Sequence, residues 1–112
     1  MTTMNQTTRD LKQEIDQLVH GNDVVLFMKG TPQFPQCGFS ATAAKILALN
    51  GVTSFKSVNV LEDQEIREAI KAYSNWPTIP QLYVRGQFIG GCDIMREMHA
   101  DGSLAATLKG GA

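Results

Sequence analysis

The sequence predicts a mixed α/β fold: a four-stranded sheet flanked by helices on both faces. Three observations predict it. Apolar periodicities run along the chain in the order α-β-α-β-α-β-β-α. The opening β-α-β stretch calls for a right-handed crossover and so for two parallel strands. Two short apolar runs separated by Arg85-Gly86 mark a tight hairpin, which adds antiparallel strands to the same sheet. The 112 residues suit one compact domain covering 1–112, with an ordered core over about 8–109.

Each element has a local reason. In TTRDLKQEIDQLVHG, Leu11, Ile15, Leu18 and Val19 share one helical face, with Thr7 or Thr8 to cap the start and Gly21 to end it. DVVLFMK is a short continuous apolar run rich in valine, the pattern of a central strand buried on both faces. After the loop GTPQFPQ, a helix fits from Gly38 to Leu49, with Phe39, Ala43, Ile46 and Leu47 as its apolar stripe and Asn50-Gly51 to close it. TSFKSVNV alternates like a strand. DQEIREAIKAYS is a third helix, with Asp63 as N-cap and Ile66, Ala69, Ile70 and Tyr73 facing inward. Leu82 and Val84 then mark a strand, QFIG returns antiparallel, and CDIMREMHADGSLAATLK supplies closing helices broken at Asp101-Gly102.

Composition narrows the functional classes. Ten basic residues stand against eleven acidic ones with no basic run, which argues against a nucleic-acid surface. No apolar stretch is long enough to span a membrane. The N-terminal stretch lacks the apolar core of a signal peptide, and Asp10, Glu14 and Asp16 are residues a transit peptide avoids, so the expected location is cytoplasmic. Two cysteines are too few for a disulfide scaffold. With His20 and His99 at no ligand spacing from them, a structural zinc site is not expected.

Cys37 carries the first chemical signal. It sits just before the second helix, at the C-terminal edge of the first strand, where open α/β sheets place ligands. Free N–H groups and the positive dipole end at a helix start stabilise an anion, and a thiolate is one. Lys29 ends the first strand and can add positive charge. The competing reading is a buried cysteine acting as a small hydrophobe; the proline and glycine around it argue against burial. Three positions on, where a redox pair carries its second cysteine, stands Ser40. A mixed disulfide at Cys37 then needs an external thiol to resolve it. Cys92, after Gly90-Gly91, is either that resolver or a residue whose backbone matters at a helix start.

Further residues outline a groove for a small extended ligand. The Ile79-Pro80 bond precedes a strand and is a candidate for cis geometry, which would free the Ile79 backbone to pair with a peptide; the alternative is a proline that simply begins an edge strand. Lys29 and Arg67 can hold a carboxylate, the N–H groups of Cys92 and Asp93 a second one, and the Asp93 side chain an ammonium. Each has an ordinary alternative: Arg67 and Lys71 on a solvated helix face, Asp93 as a plain N-cap.

Taken together, FMKGTPQFPQCGFS, NWPTIPQL and GGCDI resemble the monothiol glutaredoxins with a C-G-F-S active site. The resemblance runs from about Leu11 to Leu104. It implies a thioredoxin-like (glutaredoxin) fold, glutathione binding, and a labile [2Fe-2S] cluster shared by two chains. By the same resemblance, Cys37 matches the active thiol and cluster ligand. Lys29, Arg67, Cys92, Asp93 and the Ile79 backbone match glutathione contacts, Gly38 and Phe39 the active-site turn, and Pro80 the cis-proline. TPQFP matches the extended loop of the monothiol type, and Trp76-Pro77 is a second mark of it. The chain looks like the short, single-domain form found in bacteria and organelles. Such a cluster is held by four thiolates. Two chains offer two, and two bound glutathiones can supply the rest, a ligand set suited to a carrier. The implied partners are glutathione, a second copy of the chain, apo iron–sulfur proteins and a BolA-type protein. The alternative function is a glutathione-dependent thiol–disulfide oxidoreductase with the same groove.

Overall fold

The computed structural model describes residues 9–110. Its elements are α1 (Leu11–Gly21), β1 (Val24–Met28), α2 (Gly38–Leu49), β2 (Lys56–Asn59), α3 (Gln64–Ser74), β3 (Gln81–Val84), β4 (Gln87–Gly90), α4 (Cys92–Asp101) and α5 (Ser103–Leu108). The sheet order is β2-β1-β3-β4, with β1 and β2 parallel and the other neighbours antiparallel. This is the expected mixed four-stranded sheet.

β1 is central and wholly buried, which explains its unbroken apolar run. Its residues alternate between two cores. Val24, Leu26 and Met28 pack with Leu82 and Val84 of β3 against α2, α4 and α5. Val25 and Phe27 pack with Tyr83 against Ile15 and Val19 of α1 and Ile66 and Ile70 of α3. The helices therefore sandwich the sheet, and the C-terminal end of β1 opens between α2 and α3.

Several boundaries differ from expectation for identifiable reasons. Thr7 and Thr8, the expected caps of α1, lie outside the described residues; Asp10 caps the helix, accepting the Gln13 N–H at 3.0 Å. Gly21 is the last helical residue, and Asn22 caps the end, its side-chain amide donating to the Leu18 carbonyl. β1 stops short of Lys29, whose backbone N–H leaves the ladder for Ser40, and of Asp23, whose C=O accepts the Arg85 N–H where β3 passes into the hairpin turn. β2 keeps only four residues at the sheet edge, half the predicted run. Phe39 does not join the α2 stripe; it is 57% exposed, and the buried face is Ser40, Ala43, Ile46 and Leu47.

Other expectations hold. Asp63 caps α3 by accepting the Ile66 N–H at 3.2 Å. Arg85 and Gly86 both have positive φ, as a two-residue hairpin turn between twisted strands requires. The closing helices break at Gly102, φ 85°. Two ties between α1 and α3 have no local signature. The Arg9 guanidinium donates to the carboxylates of Glu14, Asp63 and Glu65, holding Glu14 and Asp63 below the usual carboxylate range. The Tyr73 hydroxyl donates to Asp16. Among the described residues no helix is long and apolar enough to cross a membrane.

Candidate functional site

A groove of about 450 Å³ opens at the C-terminal end of β1. Cys37 stands at its edge as the N-cap of α2, with extended backbone (φ −155°, ψ 137°) and partial exposure. The side chain makes no capping hydrogen bond of regular geometry. The thiol is nonetheless held below its ordinary pKa. The backbone N–H of Ser40 contributes most and outweighs burial, which acts the other way; the Phe39 N–H, the Lys29 charge and the Ser40 hydroxyl add to it. The helix-start argument from sequence therefore describes the local electrostatics.

Lys29 reaches the groove from the end of β1, where the chain turns sharply. Gly30 makes that turn possible: its φ is 87°, and a Cβ there would lie 2.5 Å from the Phe34 carbonyl oxygen and 2.6 Å from the Gln36 nitrogen. Thr31 and Phe34 exchange backbone hydrogen bonds, so TPQFP is a compact hook that carries Phe34 into solvent at 75% exposure.

Arg67 and Lys71, one turn apart on α3, line the opposite wall. The Arg67 Nε is buried and has no hydrogen-bond partner among the described residues. An unpaired guanidinium N–H beside a lysine is a ready anion site. Lys71, read from sequence as a solvated residue, lines the groove too.

The third wall is Trp76–Pro80. The Ile79-Pro80 bond is cis. The Ile79 side chain is buried, while its backbone N–H and C=O make no hydrogen bond with the described residues, leaving them available to a strand-like ligand. The fourth wall is the start of α4. Gly90 has φ 148°, and a Cβ on it would lie 2.8 Å from Ile94. A Cβ on Gly91 would lie 3.3 Å from the Pro80 carbonyl oxygen and from the Trp76 indole nitrogen. Gly90 has no room for a side chain, and Gly91 lets α4 begin close against the third wall.

Cys92 opens α4 and is buried, its thiol pushed up chiefly by desolvation, with smaller contributions from Asp93 and Cys37. Asp93 is exposed and faces Arg96 at 3.8 Å. The fold thus brings Lys29, Cys37, Phe39, Arg67, Ile79 with Pro80, Cys92 and Asp93 round one groove. Gly38 lies beside it at the exposed helix start and does not line it.

Two residues escaped the sequence reading as site elements. Ser40, weighed only as an absent cysteine, is fully buried and accepts the Lys29 N–H. Gln81 is also fully buried; its Nε2 donates to the Trp76 and Thr78 carbonyls and holds the third wall in place. A polar residue beginning an otherwise apolar strand was the available signal for Gln81.

The two thiols are expected to differ in reactivity. At neutral pH an alkylating reagent should modify Cys37 at least about tenfold faster than buried Cys92, because the thiolate is the nucleophile. The Cys37 rate should rise with pH and level off below the pKa of an ordinary thiol. Mass spectrometry of timed iodoacetamide reactions checks both; equal rates would contradict the electrostatic assignment.

The glutaredoxin family model matches residues 24–89, from β1 to β4. A mitochondrial monothiol glutaredoxin-5 of Lachancea kluyveri is 52% identical over 102 residues, covering 89% of this chain and 71% of the relative. This chain is a monothiol glutaredoxin. A mitochondrial glutaredoxin-related protein 5 of Danio rerio is 48% identical over 98 residues, covering 88% of this glutaredoxin and 63% of that relative. The chain therefore spans about two thirds of the length of these relatives. Among solved structures, reduced apo GrxS14 of poplar superposes with a TM-score of 0.78 at 48% identity, covering 90% of this chain and 92% of that one. A buckwheat glutaredoxin–glutathione complex does so with a TM-score of 0.78 at 27% identity, covering 89% and 88%. The thioredoxin-like fold expected from the resemblance is thereby shown.

One expectation is overturned. This glutaredoxin was expected to be cytoplasmic, but several relatives that match it along most of its length are named mitochondrial, and that overturns the expectation. The physical reason is plain. Asp10, Glu14 and Asp16, cited against a targeting segment, cap or belong to α1 and so form part of the folded body. Two free thiols do not separate one compartment from another.

Proposed function

We propose that this glutaredoxin binds glutathione in the Cys37 groove and, as a cluster-bridged dimer, carries a labile [2Fe-2S] cluster to apo iron–sulfur proteins, with a BolA-type protein as a further partner. The observation that carries the reading is a single activated thiol beside a cationic groove, with a serine where a local resolving thiol would stand. Lys29 and the unpaired Arg67 Nε suit one glutathione carboxylate, the Cys92 and Asp93 N–H groups the other, and the Ile79 backbone the peptide between them. The buckwheat glutaredoxin, which shares this fold, forms a complex with glutathione, and that supports the reading. Among the described residues no three His, Cys, Asp or Glu side chains stand together as ligands. A cluster at Cys37 therefore needs thiolates from outside the chain, and a second copy with two glutathiones supplies three.

Anaerobic reconstitution with iron, sulfide and glutathione tests this. The expected result is a red-brown protein with cluster absorption in the visible. A colourless product that rapidly deglutathionylates proteins would favour the second reading, to which the lowered Cys37 thiol also lends itself. There the Cys37 thiolate attacks the glutathione sulfur of a mixed disulfide and the protein thiolate leaves. A second glutathione thiolate then releases Cys37 as glutathione disulfide forms.

Lys29→Gln is expected to weaken glutathione binding about ten- to hundredfold, the loss of one charge-assisted hydrogen bond of about 1–3 kcal/mol. The fold should persist, since Lys29 belongs to neither core. Calorimetry checks it; an unchanged affinity would return Lys29 to the surface.

A further inference from the structure

β1 ends at Met28, and the next two backbone N–H groups lie beyond its ladder. Side chains from two other elements take them. The Lys29 N–H donates to Ser40 Oγ on α2 at 3.0 Å. The Gly30 N–H donates to Asn59 Oδ1 at the end of β2 at 2.9 Å. The same Asn59 oxygen accepts the Leu61 N–H at 3.0 Å, and the Lys29 carbonyl accepts the Gln36 N–H at 2.9 Å. Both peptide groups flanking the Lys29 Cα are thus tied, to α2, to β2 and to the returning loop.

We propose that Ser40 and Asn59 form a two-point backbone clamp that sets the Lys29 side chain and the Thr31–Gln36 loop against Cys37. They are positioning residues for the ligand's carboxylate, not contacts to it. The inference rests on the reading of the groove as a glutathione site and deepens it. Ser40 is 0% exposed, so bulk water does not compete for its bond to the Lys29 N–H, and leaving a buried N–H unpaired is costly. A thiol at the same place is a weaker acceptor that needs a longer bond. Serine at position 40 is therefore not an inert substitute for cysteine. It holds the cationic wall that a cysteine would hold less firmly. Asn59 is the second point because it holds the Gly30 N–H where the loop backbone packs too closely for any side chain.

The test is a double-mutant cycle read by glutathione calorimetry on the full chain, with amide hydrogen exchange as a second measurement. Ser40→Ala and Asn59→Ala are each expected to lower affinity about three- to tenfold, the range for one lost hydrogen bond. In a Lys29→Gln background each should cost little more, since the clamp acts through Lys29. The Lys29 amide should exchange at least about tenfold faster in Ser40→Ala, with Leu26 and Phe27 unchanged. Losses that add in full to that of Lys29→Gln, or an unchanged Lys29 amide, would overturn the clamp. A wild-type protein that binds no glutathione would instead overturn the reading of the groove. If Ser40→Ala fails to fold, Asn59→Ala, on a partly exposed edge residue, decides the cycle alone.

Discussion

Cys37→Ser is expected to give a folded protein that assembles no cluster. The sulfur belongs to neither core, and the residue occupies the N-cap of α2 with the extended backbone that position requires. Serine is among the best N-cap residues, and its hydroxyl can accept an N–H that the thiol leaves without a regular bond. Thermal stability should therefore stay within about 1 kcal/mol of wild type or rise. The loss of cluster should be complete, because a neutral hydroxyl replaces the one activated thiolate each chain offers. Cys92→Ser is the control. Its sulfur is buried and its thiol pushed up, so the variant should keep the cluster. Visible spectra after parallel anaerobic reconstitution read both. A normal spectrum from Cys37→Ser would sink the ligand assignment, and loss of colour in Cys92→Ser would make its sulfur a required group.

Depleting glutathione is expected to bleach the cluster and dissociate the dimer together. If each chain supplies one thiolate and each glutathione another, the same bonds hold metal and partner, and linkage couples the two losses. The surface agrees. Phe39 is exposed in the groove with Cys37 and Phe34 is exposed on the loop before it, apolar surface that a second copy can cover. Two rings fall far short of the roughly 800 Å² per partner that a stable interface buries. Apo-protein should therefore run as a monomer, and holo-protein as a dimer with two irons, two sulfides and two glutathiones. Anaerobic size exclusion with light scattering, before and after glutathione removal, decides it. A persistent colourless dimer would contradict the shared-ligand model, and so would a coloured monomer. The second outcome would make Cys92 the first alternative ligand.

The candidate site joins residues that sequence reading reached by different routes. Cys37 was legible locally: a cysteine between proline-rich and helical segments is a helix start, and a helix start lowers a thiol. Arg67 was not. It lies on α3, thirty positions from Cys37, and its own neighbourhood reads as an ordinary solvated face. Phe39 was misplaced for a related reason. Helical spacing assigns it to the apolar stripe, but at the first turn of α2 that direction leaves the sheet behind and meets solvent.

The sequence alone determined the element order, the four-stranded mixed sheet, the Asp63 cap, the Arg85-Gly86 turn and the thiol at the helix start. These follow from period, turn chemistry and capping, which act over a few residues and can be read in place. The tertiary structure alone decided what those elements do to one another. The order β2-β1-β3-β4 sets β1 between its neighbours, and the two cores press α2 and α3 against opposite faces. That packing carries Arg67 and Lys71 across from Lys29. It also buries the Ser40 hydroxyl under the Lys29 N–H and the Gln81 amide behind the Trp76–Pro80 wall. Lys29 meets Ser40 and Arg67 across wide gaps in the chain, while the Gln81 amide bonds carbonyls three and five residues back; in each case the partner depends on which backbone groups the sheet leaves unbonded at its edge.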